Sequence, residues 1–419
     1  MATLTLSPKL AALPAFRNEP YFDFTQQQHR AAIEQALASV TSAHLGHEYD
    51  LVIGGKRVRT EGKIVSTNPA NPAQVIGIHQ RAEAEHAEAA IEAAHTAFLS
   101  WSRTSVADRA DLLLRTAAAI RERSFEFCAW LTLEVGKNWA EADADVGETI
   151  DFLEFYAREA LRLDQAKTPI QFPGERNLLR YIPLGVCAVI PPWNFPLAIM
   201  AGMTAAAIVT GNTVILKPSV DASTIAARFF ALLEELGLPD GVVNFCPGEG
   251  PGFGSAIVAH PKTRFVAFTG SKKVGLEIHE SAARAQPGQI WIKRTILEMG
   301  GKDAIIVDAD ADIDAAVEGV AASAFGFNGQ KCSCCSRAIV DASIYDVFCD
   351  RLRDRVAQIQ QGAPAANFYA GPVINEIAHK RVLDYIAIGK QEGRLLLGGH
   401  AVETPEKGYY IAPTIFADI

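Results

Sequence analysis

The sequence has no basic run, no uninterrupted apolar stretch long enough to cross a bilayer, and no G-x-G-x-x-G in any frame. Each absence removes a class of function. Lys and Arg number 39 against 48 Asp and Glu, a net charge of −9; an acidic chain without a cationic patch is a poor partner for nucleic acid or an anionic membrane. Tyr181 to Leu216 carries no charged residue, yet Pro183, Gly185, Pro191, Pro192 and Pro196 interrupt it. The remaining helix-compatible run, Leu197 to Thr210, is too short to span, so a buried strand, a turn and a buried helix are expected. The opening MATLTLSPKLAALPAF has neither the apolar region of a signal peptide nor the arginines of a transit peptide, and the cytoplasm is the expected location.

Cysteine is sparse and unpaired in pattern. Seven is an odd number, and Cys128, Cys187, Cys246 and Cys349 stand alone in apolar contexts, where a small buried side chain in a reducing compartment is the expectation. The other three crowd into FGFNGQKCSCCSR, residues 325 to 337. A metal cluster, a redox pair or one nucleophile with two bystanders would each use such a segment. A structural zinc site needs four ligands in separated pairs, and no matching Cys/His pair is evident elsewhere, so no metal is expected.

What the chain does have is a change of period. A short helix near Gln26 to Ser42, a strand-like YDLVIGGKRV and a loop STNPANPAQVIG precede amphipathic helices from Ala82 to Leu133 and Asp143 to Leu163. From Gly185 the pattern becomes strand then helix: VCAVIPPW with LAIMAGMTAAAIV, NTVILKPS with TIAARFFALLEEL, VVNFCPG with FGSAIVAH, FVAFTGS with KVGLEIHE. Four βα units in series predict an α/β fold with a doubly wound, mostly parallel sheet, whose usual occupant is a nucleotide at the carboxyl ends of the strands. PGEGPGFG, 247 to 254, reads as an ordinary turn; Thr269-Gly270-Ser271, where a strand ends and a helix begins, is better placed to hold a diphosphate.

PPWNFP (191 to 196), ILKPS (215 to 219), FTGS…VG (268 to 275), LEMGGKD (297 to 303) and FNGQKCS (327 to 333), in this order, resemble the aldehyde dehydrogenase superfamily. Within it, GGKDAIIVD, GFNGQKCSCCSR, FRNEPYFDF and GKNWAEADADVGETIDFLEFYA look like the 1-pyrroline-5-carboxylate dehydrogenases, which oxidise glutamate γ-semialdehyde to glutamate in proline breakdown. The resemblance implies an NAD(P)-binding domain with an N-terminal helical arm over residues 1 to 297 and a catalytic thiol domain over 298 to 419. It implies a homo-oligomer in the family and a small aldehyde as substrate.

The chemistry makes demands these residues meet. An aldehyde releases hydride only after a nucleophile has added to it, and a thiolate both adds readily and leaves from a thioester. By motif the nucleophile is Cys332, with Lys331 and local amides favouring its thiolate. Asn194 resembles the family's oxyanion donor beside the Cys332 N–H; its ordinary alternative is a helix cap near Pro196. Glu298 is the expected base for thioester hydrolysis, the alternative being a solvated strand end. For NAD the resemblance implies Lys217 on the adenine ribose, Ser219 nearby, Gly250 and Pro251 about adenine, Gly270 and Ser271 at the diphosphate, and Pro192 and Trp193 near the nicotinamide. Many NAD-preferring relatives carry a glutamate where this chain has Val220. A carboxylate there would repel a 2′-phosphate, so NADP is also admitted. Phe195 is expected against the substrate's aliphatic chain and Ser333 at its carboxylate. Glu148 would meet its ammonium or an active-site water, or be a solvated helical residue. Relatives continue past GYYIAPTIFADI with an E-I-F-G-P motif, a substrate-anchoring loop and an oligomerisation strand, so this sequence is expected to be truncated or a fragment. The alternatives are then a cofactor-binding but impaired relative, an enzyme for another small aldehyde, or a cysteine-rich sensor on the same fold.

Overall fold

The structure, a computed structural model, describes residues 13–165 and 169–419; most of the segment on which the leader reading rests lies outside these. The chain opens with helix α1 (Gln27–Ala43), strands β1 (His47–Tyr49), β2 (Leu51–Ile53), β3 (Lys56–Val58), β4 (Lys63–Asn68) and β5 (Asn71–Gln80), then helices α2 (Ala84–Trp101), α3 (Val106–Glu122), α4 (Ser124–Val135) and α5 (Trp139–Asp164). The stretch STNPANPAQVIG is a hairpin rather than the expected loop. Its Asn and Pro residues make only the tight reversal, where the Asn68 side chain accepts from the Ala70 N–H at 2.9 Å, and the flanks pair as β4 and β5.

Strand and helix then alternate as the period change predicts. β6 (Val186–Ile190) leads to α6 (Ala198–Val209), β7 (Thr213–Leu216) to α7 (Ser223–Glu235), β8 (Val243–Phe245) to the short α8 (Ser255–Ala259), and β9 (Thr263–Thr269) to α9 (Lys272–Ala283), before β10 (Arg294–Glu298). The sheet order is β10-β9-β6-β7-β8-β2-β3. The five strands from β10 to β8 are mutually parallel, and β2 and β3 add an antiparallel edge.

Residue alternation explains why both faces are covered. Val186, Ala188 and Ile190 of β6 pack with Ala90, Ile91 and Ala94 of α2. Cys187 and Val189 point the other way, into the core formed by α3 to α7. A strand buried on both faces reads as a continuous apolar run, as VCAVI does.

The chain enters the parallel sheet at β6, moves outward through β7 and β8, and returns to β9 on β6's other side. Such a reversal opens a crevice at the carboxyl ends of the two strands. Here that is between Pro191-Pro192-Trp193-Asn194 and Gly270-Ser271.

A second, smaller unit follows: β11 (Asp303–Val307), α10 (Ile313–Phe325) and β12 (Cys335–Val340), a parallel pair backed by α11 (Tyr345–Ala357), with its own core of Val307, Val317, Val320, Phe348, Leu352 and Val356. Helix α12 (Glu376–Glu392) packs back on the large core through Ala378. Cys332 lies in the turn between α10 and β12, which faces the crevice.

Candidate active site

Two cavities meet at Cys332. One, of about 1020 Å³, runs along the crevice past Trp193, Asn194, Lys217, Ser219, Gly250 and Ser271. The other, of about 1330 Å³, is lined by Phe152, Tyr156, Met203, Thr295 and Glu298 among others. Phe268, Thr269, Met299 and Cys332 line both. The exposed thiol therefore stands where a ligand from either side reaches it.

The turn carrying it is unusual backbone. Phe327, Asn328 and Gly329 have φ of 47°, 55° and 70°, and a left-handed non-glycine residue costs of order 1 kcal/mol or more unless its surroundings hold it. They do. Asn328 accepts from the Gly371 N–H at 3.0 Å and donates to the Pro372 carbonyl at 3.0 Å. Gln330 accepts from the Ile374 N–H at 3.0 Å. Both side chains work as braces, a role sequence reading did not assign; two polar amides flanking a glycine were its only signal.

Asn194 donates from Nδ2 to the Gln330 carbonyl at 2.8 Å, and its Oδ1 accepts from the Phe195 N–H at 3.1 Å. It does not cap α6; Asp145 does, accepting from the Ala198 N–H at 2.7 Å. One amide N–H of Asn194 is left over beside the thiol turn. Lys331 turns away from the role expected of it: its Nζ pairs with Glu141 of α5 at 2.7 Å, so its charge ties the turn to α5.

Glu298 ends β10 with its side chain exposed and its carbonyl accepting from the Gly270 N–H at 3.0 Å. The following Gly300-Gly301 lets the chain cross the thiol turn. A Cβ on Gly301 would lie 2.8 Å from the Cys332 carbonyl oxygen, closer than any side chain tolerates.

At the far end of the crevice Lys217 is buried, donating to the Gly248 carbonyl at 2.9 Å and the Pro218 carbonyl at 3.3 Å. Burial pulls its pKa down to about 8, and one N–H remains to meet a ligand. Ser219 caps the single turn Val220–Ala222, and Val220 lines the cavity. Ser271 caps α9, accepting from the Val274 N–H. The next two residues, Lys272 and Lys273, add positive charge where the helix dipole is already positive, an arrangement that suits an anion. A dinucleotide therefore fits these residues.

Pro192 lines the same cavity, whereas Pro251 is exposed and borders neither cavity. Phe195 and Ser333 also lie outside both linings, Ser333 exposed beside the thiol and Phe195 half-buried. Glu148 is half-buried on α5; burial, then Asp145, raises its carboxyl pKa, with Lys137 pulling it down. Cys334 contacts the Gly329 carbonyl from its sulfur at 3.2 Å, and Cys335 is buried at the start of β12. All seven cysteines are free, and no cluster of metal-ligating residues occurs among the described residues.

Residues 57–419 match the family model described as the aldehyde dehydrogenase family. The chain belongs to that family. It is 53% identical over 405 residues to the 1-pyrroline-5-carboxylate dehydrogenase of Geobacillus thermodenitrificans, covering 96% of this chain and 78% of that protein. The Bacillus mycoides enzyme of the same name is 49% identical, with 97% and 78% covered. Among solved structures, a Thermus 1-pyrroline-5-carboxylate dehydrogenase with bound NAD superposes with a TM-score of 0.94 at 48% identity, covering 97% of this chain and 78% of that one. A Bacillus cereus aldehyde dehydrogenase gives 0.84 at 33% identity, covering 92% and 77%. No described helix is long and apolar enough to cross a membrane.

Proposed function

We propose that this chain is an NAD-dependent aldehyde dehydrogenase that oxidises L-glutamate γ-semialdehyde, the open form of 1-pyrroline-5-carboxylate, to L-glutamate in proline breakdown. The observation that carries this is the identity of about half of all residues to enzymes of that name across 96% of the chain. NAD is taken along the crevice, with Lys217 and Ser219 at the adenosine ribose, Gly250 and Pro251 about the adenine, Gly270 and Ser271 at the diphosphate, and Pro192 and Trp193 toward the nicotinamide. The apolar Val220 at the cavity wall supports tolerance of NADP.

The Cys332 thiolate adds to the aldehyde carbon, forming a C–S bond and an oxyanion that Asn194 and the Cys332 N–H receive. A dinucleotide held by Lys217, Gly270, Ser271 and Trp193 would supply the acceptor for the hydride that leaves that carbon. The remaining thioester is cleaved by water, which gives a proton to Glu298 as it attacks; the C–S bond breaks and the thiolate is restored. Glu298 borders the cavity away from the cofactor crevice, which supports its acting on water or substrate. Phe195, Ser333 and Glu148 are assigned to the substrate's chain, carboxylate and ammonium. We divide the chain into residues 1 to 297 for the dinucleotide and 298 to 419 for the thiol, in support of which β10 ends the large sheet at Glu298. Seven free cysteines support a cytoplasmic location. The exposed Ile170, Phe172, Tyr181 and Ile182 before β6 support assembly into a homo-oligomer.

Measuring NADH formation with pyrroline-5-carboxylate against other small aldehydes tests the proposal. Cys332→Ala should remove all turnover, whereas Cys334→Ala and Cys335→Ala should keep most of it. Equal loss in all three would refute the assignment of the nucleophile, and a preference for an unrelated aldehyde would refute the substrate.

A further inference from the structure

Lys137 is fully buried and lies in neither cavity. Gly136, with φ of +76°, ends α4 in the left-handed region and turns the next side chain inward before Asn138 caps α5. A Cβ on Gly136 would sit 3.1 Å from both Pro69 and Pro372, so the turn is held closed around it. The Lys137 Nζ donates to Asp145 Oδ2 at 3.0 Å, and both side chains are 0% exposed. The same ammonium faces two aromatic rings: Phe195 at 4.1 Å from the ring centroid and Phe327 at 4.9 Å.

Those partners come from the two sides of the reacting thiol. Phe195 follows Asn194. Phe327 begins the left-handed run that leads to Cys332 and is itself buried. The other oxygen of Asp145 caps α6, two residues beyond Pro196. The Asn194 side chain, in turn, bonds to the Gln330 carbonyl. One buried ammonium thus ties the segment that carries the oxyanion donor to the segment that carries the nucleophile.

Stability does not explain such a pair. Burying two charges costs about as much as their attraction returns, and apolar replacements of similar volume are often neutral or better. A cation held between two aromatic faces, however, fixes ring positions in a way an apolar side chain does not. Resting on the proposed dehydrogenase reading, we propose that Lys137 is a positioning residue that fixes Phe195 and Phe327, and through them sets the distance between Asn194 and Cys332.

The test is the double variant Lys137→Met with Asp145→Asn, which removes both charges while keeping an acceptor for the Ala198 N–H. A purely structural pair predicts a folded protein with near-normal turnover. Positioning predicts a folded protein with NAD affinity unchanged, KM little altered and kcat lower by about a hundred-fold, the scale of a displacement of about 1 Å at a reacting centre. Iodoacetamide labelling followed by mass spectrometry gives a readout independent of turnover. In the parent, Cys332 should label well ahead of the half-buried Cys334; in the variant the two should converge as the turn loosens. A folded double variant with parental kcat and parental labelling ratio would overturn the proposal. Should the double variant not fold, Phe327→Leu removes one ring face at nearly constant volume, and the same two results, slower turnover and convergent labelling or neither, decide. If the parent oxidises no aldehyde, the dehydrogenase reading fails, while the labelling comparison still tests the positioning role.

Discussion

Lys217→Met should stabilise the free protein and weaken its hold on NAD. The ammonium is buried, and desolvation lowers its pKa from 10.5 to about 8. A pKa displaced by one unit corresponds to about 1.4 kcal/mol, so at neutral pH the folded state carries a penalty of order 3 kcal/mol for keeping this group charged. Methionine fills much the same space without it. Against that, the Gly248 and Pro218 carbonyls, which accept from Nζ at 2.9 and 3.3 Å, lose a donor at about 1 kcal/mol each. The net expectation is a gain of about 1 kcal/mol for the free protein. Binding moves the other way: a charged donor to a ribose hydroxyl is worth about 1.5–3 kcal/mol, roughly ten- to a hundred-fold in Kd.

The sign of the pH dependence provides an internal control. Because the folded pKa lies below the unfolded one, the unfolded chain holds more protons between about pH 8 and 10.5, and the stability of the parent rises across that window as the penalty is relieved. The variant should lack this rise. Burial holds Lys293 down to about 8 as well, but it is present in both proteins, so the difference between their denaturation curves isolates Lys217. Urea midpoints from about pH 7 to 10 and an NAD titration by quenching of intrinsic fluorescence are the measurements. A variant less stable than the parent at neutral pH, or one with parental NAD affinity, would refute the reasoning.

Glu298→Gln should leave a rapid burst of NADH and slow the steady state, because hydride release needs the thiolate and its oxyanion donors whereas thioester hydrolysis needs a base; unaltered steady turnover in stopped-flow traces would remove Glu298 from that role. Gly301→Ala puts a methyl 2.8 Å from the Cys332 carbonyl, so the thiol turn must shift, and kcat should fall by about ten-fold or more while NAD binding stays near parental. Parental kcat in that variant would mean that the turn accommodates the methyl without moving the nucleophile.

The parallel sheet was legible because its strands are buried on both faces and so appear as short unbroken apolar runs between helical periods. The hairpin at 63–80 was not, since Pro69, Asn71 and Pro72 sit at its reversal and make the whole stretch look like turn. The positions of Cys332, Asn194, Lys217 and Ser271 followed from motif. Their partners did not. Lys331 looked like an activator of its neighbour, but nothing local reveals that Glu141, far back in the chain, faces it. Lys137 and Asp145 sit in GKNWAEADADV, an acidic stretch whose charges suggest a solvated face, and only the packing of α5 against α6 buries them. Pattern reports which face of a helix is apolar; it cannot report that a charged residue on it has found a partner.

The same limit explains why the braces of the thiol turn escaped notice. Cys332, the proposed nucleophile, faces the crevice on one side and the second cavity on the other, and a thiol so placed cannot lie within a helix or strand, whose side chains are committed to one face. It needs a turn. A turn held only by its own backbone would let the sulfur wander by more than the reaction tolerates, since Phe327 and Asn328 sit in a conformation they leave readily when free. The chain therefore recruits side chains from residues 328 and 330 to grip 371–374, a glycine to admit the 300–301 crossing, and a buried lysine to hold the first ring of the run. Each of these works through a partner remote in sequence, so the strain of the turn becomes tolerable only once the two units of the fold have closed on each other, and the nucleophile is set in place by the same packing that forms the crevice.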